Sequence, residues 1–457
     1  MSIRVRPTTG WGRNDSAAPA RPHPGPPPQA GEGDIAPTAR TRFVDALSAL
    51  RERPLVPGNH ATLLRDGPQT HAAQLAAIAG AQHHVHLETY LITDGEIGSC
   101  YADALIERAR AGVHVRLMLD GLGALGAGDA YRQRLVDAGV RLREFNPVNP
   151  LREPRLWRVT RRTHRKTLVV DGRVAFTGGV NLTDEYRRGP EDAEPATRDG
   201  PGWRDTHVMI EGPAAAEFQR VFLTYWARLG GLRDTTDYYP DVPAAGNGLA
   251  CAITDQGEGF IDHWVGGEDD NDDDDLPRPK NPLRPKYRTK PRIYHAYLDA
   301  IKLAQHRVWI TQAYFAPNGR FIRALTRAAR RGVDVRLIVP ARTDAGLLKY
   351  AARQRYARLM RAGVRIHEYR PAVLHAKTAV IDSVWSTVGS ANLDYRSFFH
   401  NDEANAFLIC EDFAADMEAM FERDLQRCDA IEPVIWERRG WRERLLELFA
   451  GAIKWML

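Results

Sequence analysis

The sequence contains few of the features that mark several classes of protein. Only four of its 457 residues are cysteines, and Cys100, Cys251, Cys410 and Cys428 show no metal-binding spacing. No run of apolar residues is long enough to cross a bilayer. We therefore expect reduced thiols in a reducing compartment and no membrane-spanning helix.

One short motif, in contrast, occurs twice. Each copy has the pattern His-x-Lys-x-x-x-x-Asp and is followed by Gly-(Gly/Ser)-x-Asn. The first copy contains His164, Lys166, Asp171, Gly179 and Asn181, and the second contains His375, Lys377, Asp382, Ser390 and Asn392. A single histidine on a strand is more often a core residue than a catalyst, but two copies with matched flanks argue against coincidence. Two histidines, two lysines and two asparagines can bind one phosphodiester and cleave it from opposite sides.

Each motif is expected to open a buried strand. Residues 167–170 and 378–381 are apolar and rich in β-formers. Alternate residues of a strand share a face, so the histidine and lysine of each copy should project together. Asp171 and Asp382 stand where the chain turns, and we expect them to hold the loop and the lysine rather than do the chemistry. The glycines that follow allow close backbone approach to a bound oxyanion.

The motif is part of a longer internal repeat. Residues 111–117 match 331–337, and residues 137–141 match 361–365. Each half has the order strand, helix, strand, helix, strand, and then the strand pair that carries the motif. This alternation predicts an α/β fold of two tandem sandwich halves with mainly parallel mixed sheets, related by a pseudo-twofold axis. The two motifs should meet at the shared interface, a usual place for a ligand cleft.

With these motifs the chain resembles the phospholipase D superfamily, and more closely the bacterial cardiolipin synthases of the phospholipase D type. The segments that carry the resemblance include 163–172, 374–382 and 389–397, and it extends over roughly residues 60–430. The resemblance implies two phospholipase D-like halves. It also implies a phosphatidyl transferase that moves a phosphatidyl group from phosphatidylglycerol to a second lipid alcohol and releases glycerol.

The chemistry suggests a role for each type of motif residue. One imidazole attacks phosphorus and becomes phosphohistidine, while the other protonates the departing alcohol and later deprotonates the incoming one. The residues alone leave open which histidine attacks; the resemblance favours His164 as nucleophile and His375 as acid and base. The lysines stabilise the nonbridging oxygens, so that neither a metal ion nor a cofactor is required. The residues expected to bind phosphate are Gly179, Asn181, Ser390 and Asn392.

Two acidic residues downstream of the motifs occupy matching places in the two halves. They are Asp205 and Glu403. A carboxylate that accepts a hydrogen bond from one ring nitrogen fixes the tautomer of a nucleophilic histidine. The resemblance implies this orienting role for both residues. The alternative is ordinary charge at a strand edge.

The composition agrees with a folded enzyme, since 43% of the residues are hydrophobic and 26% are charged, as is ordinary for a globular protein. We predict a disordered Pro/Ala/Arg-rich tail over 1–38, a first half over 39–246, a charged linker or insertion over 247–290 and a second half over 291–430. Residues 431–457 should form an amphipathic helix, which lies on a membrane surface or docks on the protein itself.

Three functions remain open from the sequence. The first is the phosphatidyl transferase, with phosphatidylglycerol and a membrane surface as partners and a peripheral place at the bacterial cell membrane, on its cytoplasmic face. The second is a phosphodiesterase of the same fold, either a phospholipid hydrolase or a nuclease, although no array of aromatic and basic residues suggests a nucleic-acid channel. The third is a noncatalytic binder of anionic membrane. The oligomeric state is open.

A cluster of arginines leads into the first motif. Such a stretch suits an anionic headgroup or a nucleic-acid backbone, or is simply a solvated loop. Its members are Arg152, Arg155, Arg158, Arg161, Arg162 and Arg165.

Overall fold

The structure is a computed structural model. It describes residues 38–51, 54–148, 161–191, 202–231, 236–256, 291–343 and 346–433, and then 436, 439–440, 443, 445–447 and 450. Nearly all of the predicted tail and residues 257–290 of the predicted linker lie outside this described part.

The first half contains seven strands and five helices within the described residues. They are α1 (Ala39–Ala49), β1 (Val56–Arg65), α2 (Asp66–Gly80), β2 (His84–Thr89), α3 (Glu96–Arg110), β3 (His114–Asp120), α4 (Gly128–Asp137), β4 (Arg141–Phe145), β5 (Thr167–Val170), β6 (Val174–Gly178), β7 (Thr206–Glu211) and α5 (Ala215–Arg228).

From its first strand onward, the second half repeats the order that begins at β1 and adds a short helix, α9, and a short edge strand, β15. Its elements are β8 (Gly248–Asp255), α6 (Arg292–Leu303), β9 (Arg307–Gln312), α7 (Gly319–Arg330), β10 (Asp334–Pro340), α8 (Gly346–Arg361), β11 (Arg365–Tyr369), β12 (Lys377–Ile381), β13 (Trp385–Gly389), α9 (Tyr395–Phe399), β14 (Glu403–Ile409), α10 (Glu411–Leu425) and β15 (Cys428–Ala430).

The described strands form one mixed sheet of 15 strands, in the order β15-β11-β10-β9-β12-β13-β14-β8-β1-β7-β6-β5-β2-β3-β4. Apart from β15, the order on one side of the β8–β1 pair mirrors the order on the other, which matches the predicted duplication. The predicted α/β class with two halves is confirmed. Its mainly parallel character is wrong, because parallel pairing among the described strands occurs only within β2-β3-β4 and β9-β10-β11. Within each of these two sets, one helix connects each strand to its parallel neighbour, whereas the other neighbouring strands are antiparallel.

The boundary predicted between the halves also needs correction. Residues 248–255, placed in the linker by their position before the acidic run, form β8. This strand pairs antiparallel with β14 along its whole length and with β1 of the first half. Its alternating buried and partly exposed residues show that it is a structural strand rather than a spacer.

The hairpin that carries each motif forms as its sequence predicts. Asp171 and Gly172 both adopt left-handed backbone, with φ of 53° and 65°, and Asp382 and Ser383 do the same with φ of 50° and 57°. Two consecutive residues of this kind turn the chain tightly and match the twist of the flanking strands. Each β-rich segment therefore pairs antiparallel with the strand that follows the turn, which gives the hairpins β5–β6 and β12–β13.

One hydrophobic core lies in the first half, a second lies in the second half and also includes Phe43 and Leu47 of α1, and a third joins the halves. The joining core includes Val169 and Val208 from the first half and Trp309, Leu374 and Val388 from the second. Buried apolar packing of this kind resists relative motion of the two halves. The interface between the motifs is therefore fixed by close packing.

The predicted helix over 431–457 is only partly described. Trp436 is 6% exposed and packs on the second half, and Ala450 is buried, whereas Leu445 and Leu446 are 54% and 42% exposed. The described side chains therefore include both docked and solvent-facing members. In the described part of the chain, no helix combines the length and apolar character needed to cross a membrane.

Candidate active site

Each motif histidine lies on a segment that crosses to the other half of the molecule. The amides of His164 and His375 donate to the carbonyl oxygens of Asp402 and Arg204, at 2.9 and 2.8 Å. Neighbouring residues complete a short parallel bridge at each crossing. The buried strands β5 and β12 begin at Thr167 and Lys377, so each motif leads into its strand as expected, but the histidine itself lies just before the strand. The backbone of the histidine is instead bonded to the opposite half.

His164 is held by a carboxylate from the second half. Its Nδ1 lies 3.1 and 3.0 Å from the two carboxylate oxygens of Glu403 and 3.1 Å from the carbonyl oxygen of Ser390. All three partners are acceptors, so Nδ1 carries the proton and donates it. Glu403 is fully buried. Nε2 therefore retains its lone pair.

His375 is held by a carboxylate from the first half. Its Nδ1 lies 2.7 Å from Oδ2 of Asp205 and 2.8 Å from the hydroxyl of Tyr186, which itself donates to the same carboxylate oxygen at 3.1 Å. The other oxygen of Asp205 accepts from the amide of Thr206 at 2.7 Å. The two histidine–carboxylate pairs are thus crossed, with each half supplying the partner of the other half's histidine.

The electrostatics of the site favour neutral imidazoles beside ionised carboxylates. Burial lowers the pKa of His164 to about 4; Glu403 opposes this shift and Lys166 adds to it. Burial and then Lys377 also lower the pKa of His375. Burial alone would raise the pKa of Glu403, but the adjacent His164 holds it below its ordinary value. Before an anion binds, both imidazoles are therefore expected to be uncharged near neutral pH.

The two motif lysines lie beneath the histidines. The ammonium of Lys166 donates to the carbonyl oxygen of His164 at 2.6 Å, and that of Lys377 donates to the carbonyl oxygen of His375. Both side chains are buried. Burial lowers the pKa of Lys166 to about 7; the charge of Glu403 opposes this shift and that of Lys377 adds to it. A bound anion would raise the pKa again and restore the full charge.

A cavity of about 210 Å³ joins the two histidines. Asn181 and Asn392 line it, and the amide oxygen of each is buried with no hydrogen-bond partner among the described residues. Other residues in its wall are Tyr90, Trp203, Tyr314, Asp394, Arg396 and Asn401. The cavity is smaller than the roughly 300–1,000 Å³ typical of sites that enclose a whole drug-sized ligand, so it suits a headgroup rather than acyl chains. Within the described chain, no group of histidine, cysteine or acidic side chains is arranged to hold a metal ion.

The motif aspartates lie away from this cavity. The carboxylate of Asp171 accepts from the amides of residues 82–84 at 2.8–2.9 Å. Asp382 accepts from the amides of residues 305–307 over the same distances. They hold the loop, as expected. They do not hold the lysine, because Lys166 is five residues, about 16 Å, back along the extended chain. Although both belong to the duplicated motif, neither Asp171 nor Asp382 lines the cavity.

Of the four residues expected to bind phosphate, Gly179 and Ser390 lie outside the cavity wall. The amide of Gly179 donates to a strand carbonyl at 3.0 Å, and a Cβ at this position would overlap Oδ1 of Asp205. The hydroxyl of Ser390 donates to Glu403, and its amide is likewise bonded to a strand carbonyl. Neither residue is part of the cavity wall. The backbone at Gly179 therefore approaches the carboxylate of Asp205 rather than a bound substrate oxyanion.

Sequence reasoning missed the aromatic wall of the site. Tyr90 packs its ring 5.1 Å from that of His164, and Trp203 lies 5.4 Å from the ring of His375. Tyr186 was missed as well, although a spacing could have revealed it. Tyr186 lies five residues after Asn181, just as Ser397 lies five residues after Asn392. The hydroxyl of Ser397 accepts a hydrogen bond from the backbone amide of Asn392.

The described members of the arginine cluster are paired with carboxylates. The pairs are Arg161 with Asp402 at 3.0 Å, Arg162 with Asp120 at 3.3 Å and Arg165 with Glu88 at 2.6 Å. Arg165 is completely buried. These residues therefore bind the walls of the site together rather than form an open basic surface. Positions 152, 155 and 158 lie outside the described residues.

Comparison with known proteins gives relatives that span both halves. A family model described as cardiolipin synthase, PLD-like domain, matches residues 75–193 and 297–425. The cardiolipin synthase of Geobacillus thermodenitrificans (strain NG80-2) is 34% identical over 397 residues, which cover 87% of this chain and 72% of that protein. Cardiolipin synthase 2 of Bacillus cereus is 33% identical over 390 residues, which cover 84% and 68%.

A solved structure has a similar fold. The phosphatidylserine synthase of Haemophilus influenzae Rd KW20 aligns with a TM-score of 0.64 and 13% identity, over 91% of this chain and 100% of that one. At this low identity, the similarity concerns the fold alone.

Proposed function

The chain belongs to the cardiolipin synthase family of enzymes with phospholipase D-like domains, and from this we propose that it is a phosphatidyl transferase that moves a phosphatidyl group from phosphatidylglycerol to the alcohol of a second phospholipid. The observation that carries the proposal is the pair of crossed histidine–carboxylate contacts at the two ends of one cavity. Such a pair provides a nucleophile on one side of a phosphodiester and a proton donor on the other.

The first step breaks the bond to glycerol. Nε2 of His164 attacks phosphorus, and a P–N bond forms while the P–O bond to glycerol breaks. His375, once protonated, gives its proton to the departing glycerol oxygen. The negative phosphodiester supports this proton, because an anion in the cavity raises the pKa of both imidazoles. Glu403 then stabilises the cationic ring of the phosphohistidine.

The second step transfers the phosphatidyl group. His375, now neutral, takes the proton of the incoming lipid hydroxyl, whose oxygen attacks phosphorus as the P–N bond breaks. The amides of Asn181 and Asn392 and the charges of Lys166 and Lys377 stabilise the nonbridging oxygens in both steps. No metal ion or other cofactor takes part in this scheme.

We further propose that the protein works as a peripheral protein at the bacterial cell membrane, on its cytoplasmic face. The small cavity supports this, since the acyl chains would remain in the bilayer while the headgroup enters. Leu122 and Leu125, 38% and 56% exposed, lie beside Gly123, which packs on the carbonyl of Tyr90 in the cavity wall. Exposed leucines next to a residue that packs on the cavity wall are suited to shallow insertion into lipid. The free thiols suit a reducing compartment.

The test is product analysis with purified protein and phosphatidylglycerol vesicles, in the presence of a chelator and without CDP-diacylglycerol. We expect cardiolipin and free glycerol in equal amounts, and neither with His164→Ala or His375→Ala. Phosphatidic acid as the sole product would establish a hydrolase and refute the transferase proposal. Vesicle flotation of the His164→Ala protein separates loss of chemistry from loss of membrane binding.

A further inference from the structure

One cation in the cavity wall is not used by the scheme above. Arg396 is partly exposed and lines the cavity together with His164 and Asn392. Within the part of the chain that the structure describes, its side chain forms no hydrogen bond or ion pair. Its charge nevertheless acts at the site: burial raises the pKa of Tyr90, whose ring packs on His164, and the charge of Arg396 opposes that rise.

The other arginines around the site differ in this respect. Arg162 also lines the cavity, but its guanidinium is buried against Asp120 and the carbonyl oxygen of Asn146. Arg204 is buried and donates to Asp424. These charges are neutralised within the protein, whereas the charge of Arg396 is available to an anion that enters from outside.

Next to Arg396 are polar atoms suited to hydroxyl groups. Asn401 is 7% exposed, lines the cavity, and has an amide oxygen without a partner among the described residues. Asp394, also in the wall, accepts from the amide of Ser397 at 2.8 Å, and burial raises its pKa to about 7. A carboxyl of this kind can donate to a hydroxyl or accept from one. An unsatisfied buried acceptor is costly, and a ligand hydroxyl would remove that cost.

This group has no counterpart in the first half. Counting from the two motif asparagines, Arg396 corresponds to Glu185 and Asp394 to Thr183. Glu185 is exposed and is not part of the cavity wall. The histidines, asparagines and lysines are therefore duplicated, while this cationic corner belongs to one side of the site. In a transfer reaction the donor provides the phosphorus and the acceptor provides a hydroxyl, so the two substrates need different binding groups on the two sides of the site.

We propose that Arg396, with Asn401 and Asp394, forms the subsite for the acceptor, and that it binds an alcohol that carries its own phosphodiester. This inference rests on the proposed transferase function. In such an acceptor the attacking hydroxyl and the anionic phosphate are joined by a short glycerol unit. Arg396 would bind the acceptor phosphate, and the two oxygen-bearing side chains would bind the glycerol hydroxyls. Arg396 is thus a specificity-determining residue that favours phospholipid over water or free glycerol as acceptor.

The experiment compares two acceptors in one reaction. Purified protein is mixed with phosphatidylglycerol vesicles and labelled glycerol, and two products are measured: cardiolipin, and labelled phosphatidylglycerol formed by glycerol exchange. Exchange uses the same donor and both histidines but an acceptor without phosphate. We expect Arg396→Ala to lower the ratio of cardiolipin to exchange by about 10- to 100-fold, the loss of one charge-assisted hydrogen-bonding group. Arg396→Lys should recover part of the ratio.

The matched control is Arg358→Ala, which removes an exposed arginine of α8 in the same half and should leave the ratio unchanged. An unchanged ratio in Arg396→Ala, or an equal loss of both products with an unchanged melting temperature, would overturn the acceptor subsite while the transferase stands. If Arg396→Ala melts early, Arg396→Gln and Arg396→Lys provide the same comparison. Wild-type protein that forms neither product would instead refute the transferase function itself, and the subsite with it.

Discussion

Replacing Glu403 with glutamine tests the crossed arrangement most directly. The substitution keeps the size of the side chain and one acceptor oxygen for Nδ1 of His164, which now lies 3.1 and 3.0 Å from the two carboxylate oxygens. The hydroxyl of Ser390, which donates to the carboxylate, can rotate to accept from the new amide. The fold should survive, and the change is confined to one buried negative charge.

The size of the effect follows from the charge that develops on the ring. In the proposed first step, His164 becomes cationic when Nε2 bonds to phosphorus while Nδ1 keeps its proton. A unit charge about 4 Å away contributes about 4 kcal/mol at an effective dielectric constant of about 20. Each 1.36 kcal/mol is about tenfold in rate, so the first step should slow by about a thousandfold. Loss of the tautomer preference adds to this effect.

The assay is the burst of glycerol released on rapid mixing with phosphatidylglycerol vesicles, which isolates the first step. A matched control is Glu368→Gln, which removes another largely buried glutamate of the second half, bonded to Arg353 at 2.9 Å. It should leave the burst rate unchanged. A Glu403→Gln protein with native melting temperature and a burst within threefold of wild type would refute the electrostatic role argued for this residue.

Three further predictions concern pH and the supporting residues. The proposed first step needs a neutral His164, whose pKa is lowered to about 4, and a protonated His375, whose pKa is also lowered, while Lys166 loses its proton above about pH 7. We therefore expect kcat/KM to fall below about pH 4 and to decline again toward alkaline pH, at the latest above about pH 7; a flat profile to pH 9 would contradict this. Asp171→Ala should lower the free energy of unfolding by about 2–4 kcal/mol, because three amides lose an ionised acceptor, and urea unfolding would measure it; an unchanged midpoint would exclude this structural role. Gly179→Ala should displace Asp205 and lower kcat by more than about tenfold, while a rate equal to wild type in steady-state assays would mean that the carboxylate tolerates the shift.

Local patterns predicted the elements of this fold well. The β-rich segments after each histidine and the Asp-Gly turn predicted the hairpin β5–β6, since those signals act over a few neighbouring residues. The parallel character of the sheet was overestimated, because pairing between distant strands depends on contacts that no local pattern records. The strand β8 was missed for a related reason: it precedes a strongly charged run, and its partners are β14 and β1.

The sequence predicted which residues belong to the site but not which carboxylate contacts which histidine. The duplicated motif pointed to His164 and His375, which line one cavity, and matching positions pointed to Asp205 and Glu403, which contact these histidines. Nothing in the sequence indicated that each carboxylate belongs to the histidine of the other half. Such pairing arises only when the two halves pack together, at separations of 239 and 170 residues. The same packing turned Gly179 from an expected phosphate contact into a residue that makes room for Asp205.

The crossed pairs also determine when a newly made chain acquires its chemistry. His164 leaves the ribosome 239 residues before Glu403. At a synthesis rate of roughly 5–20 residues per second, that interval lasts roughly 12 to 48 s. During this time the first half can fold with a histidine that has no carboxylate behind it. A chain released before β14 is complete lacks Glu403, so its His164 would have no carboxylate partner, and we expect such a truncated product to be inactive.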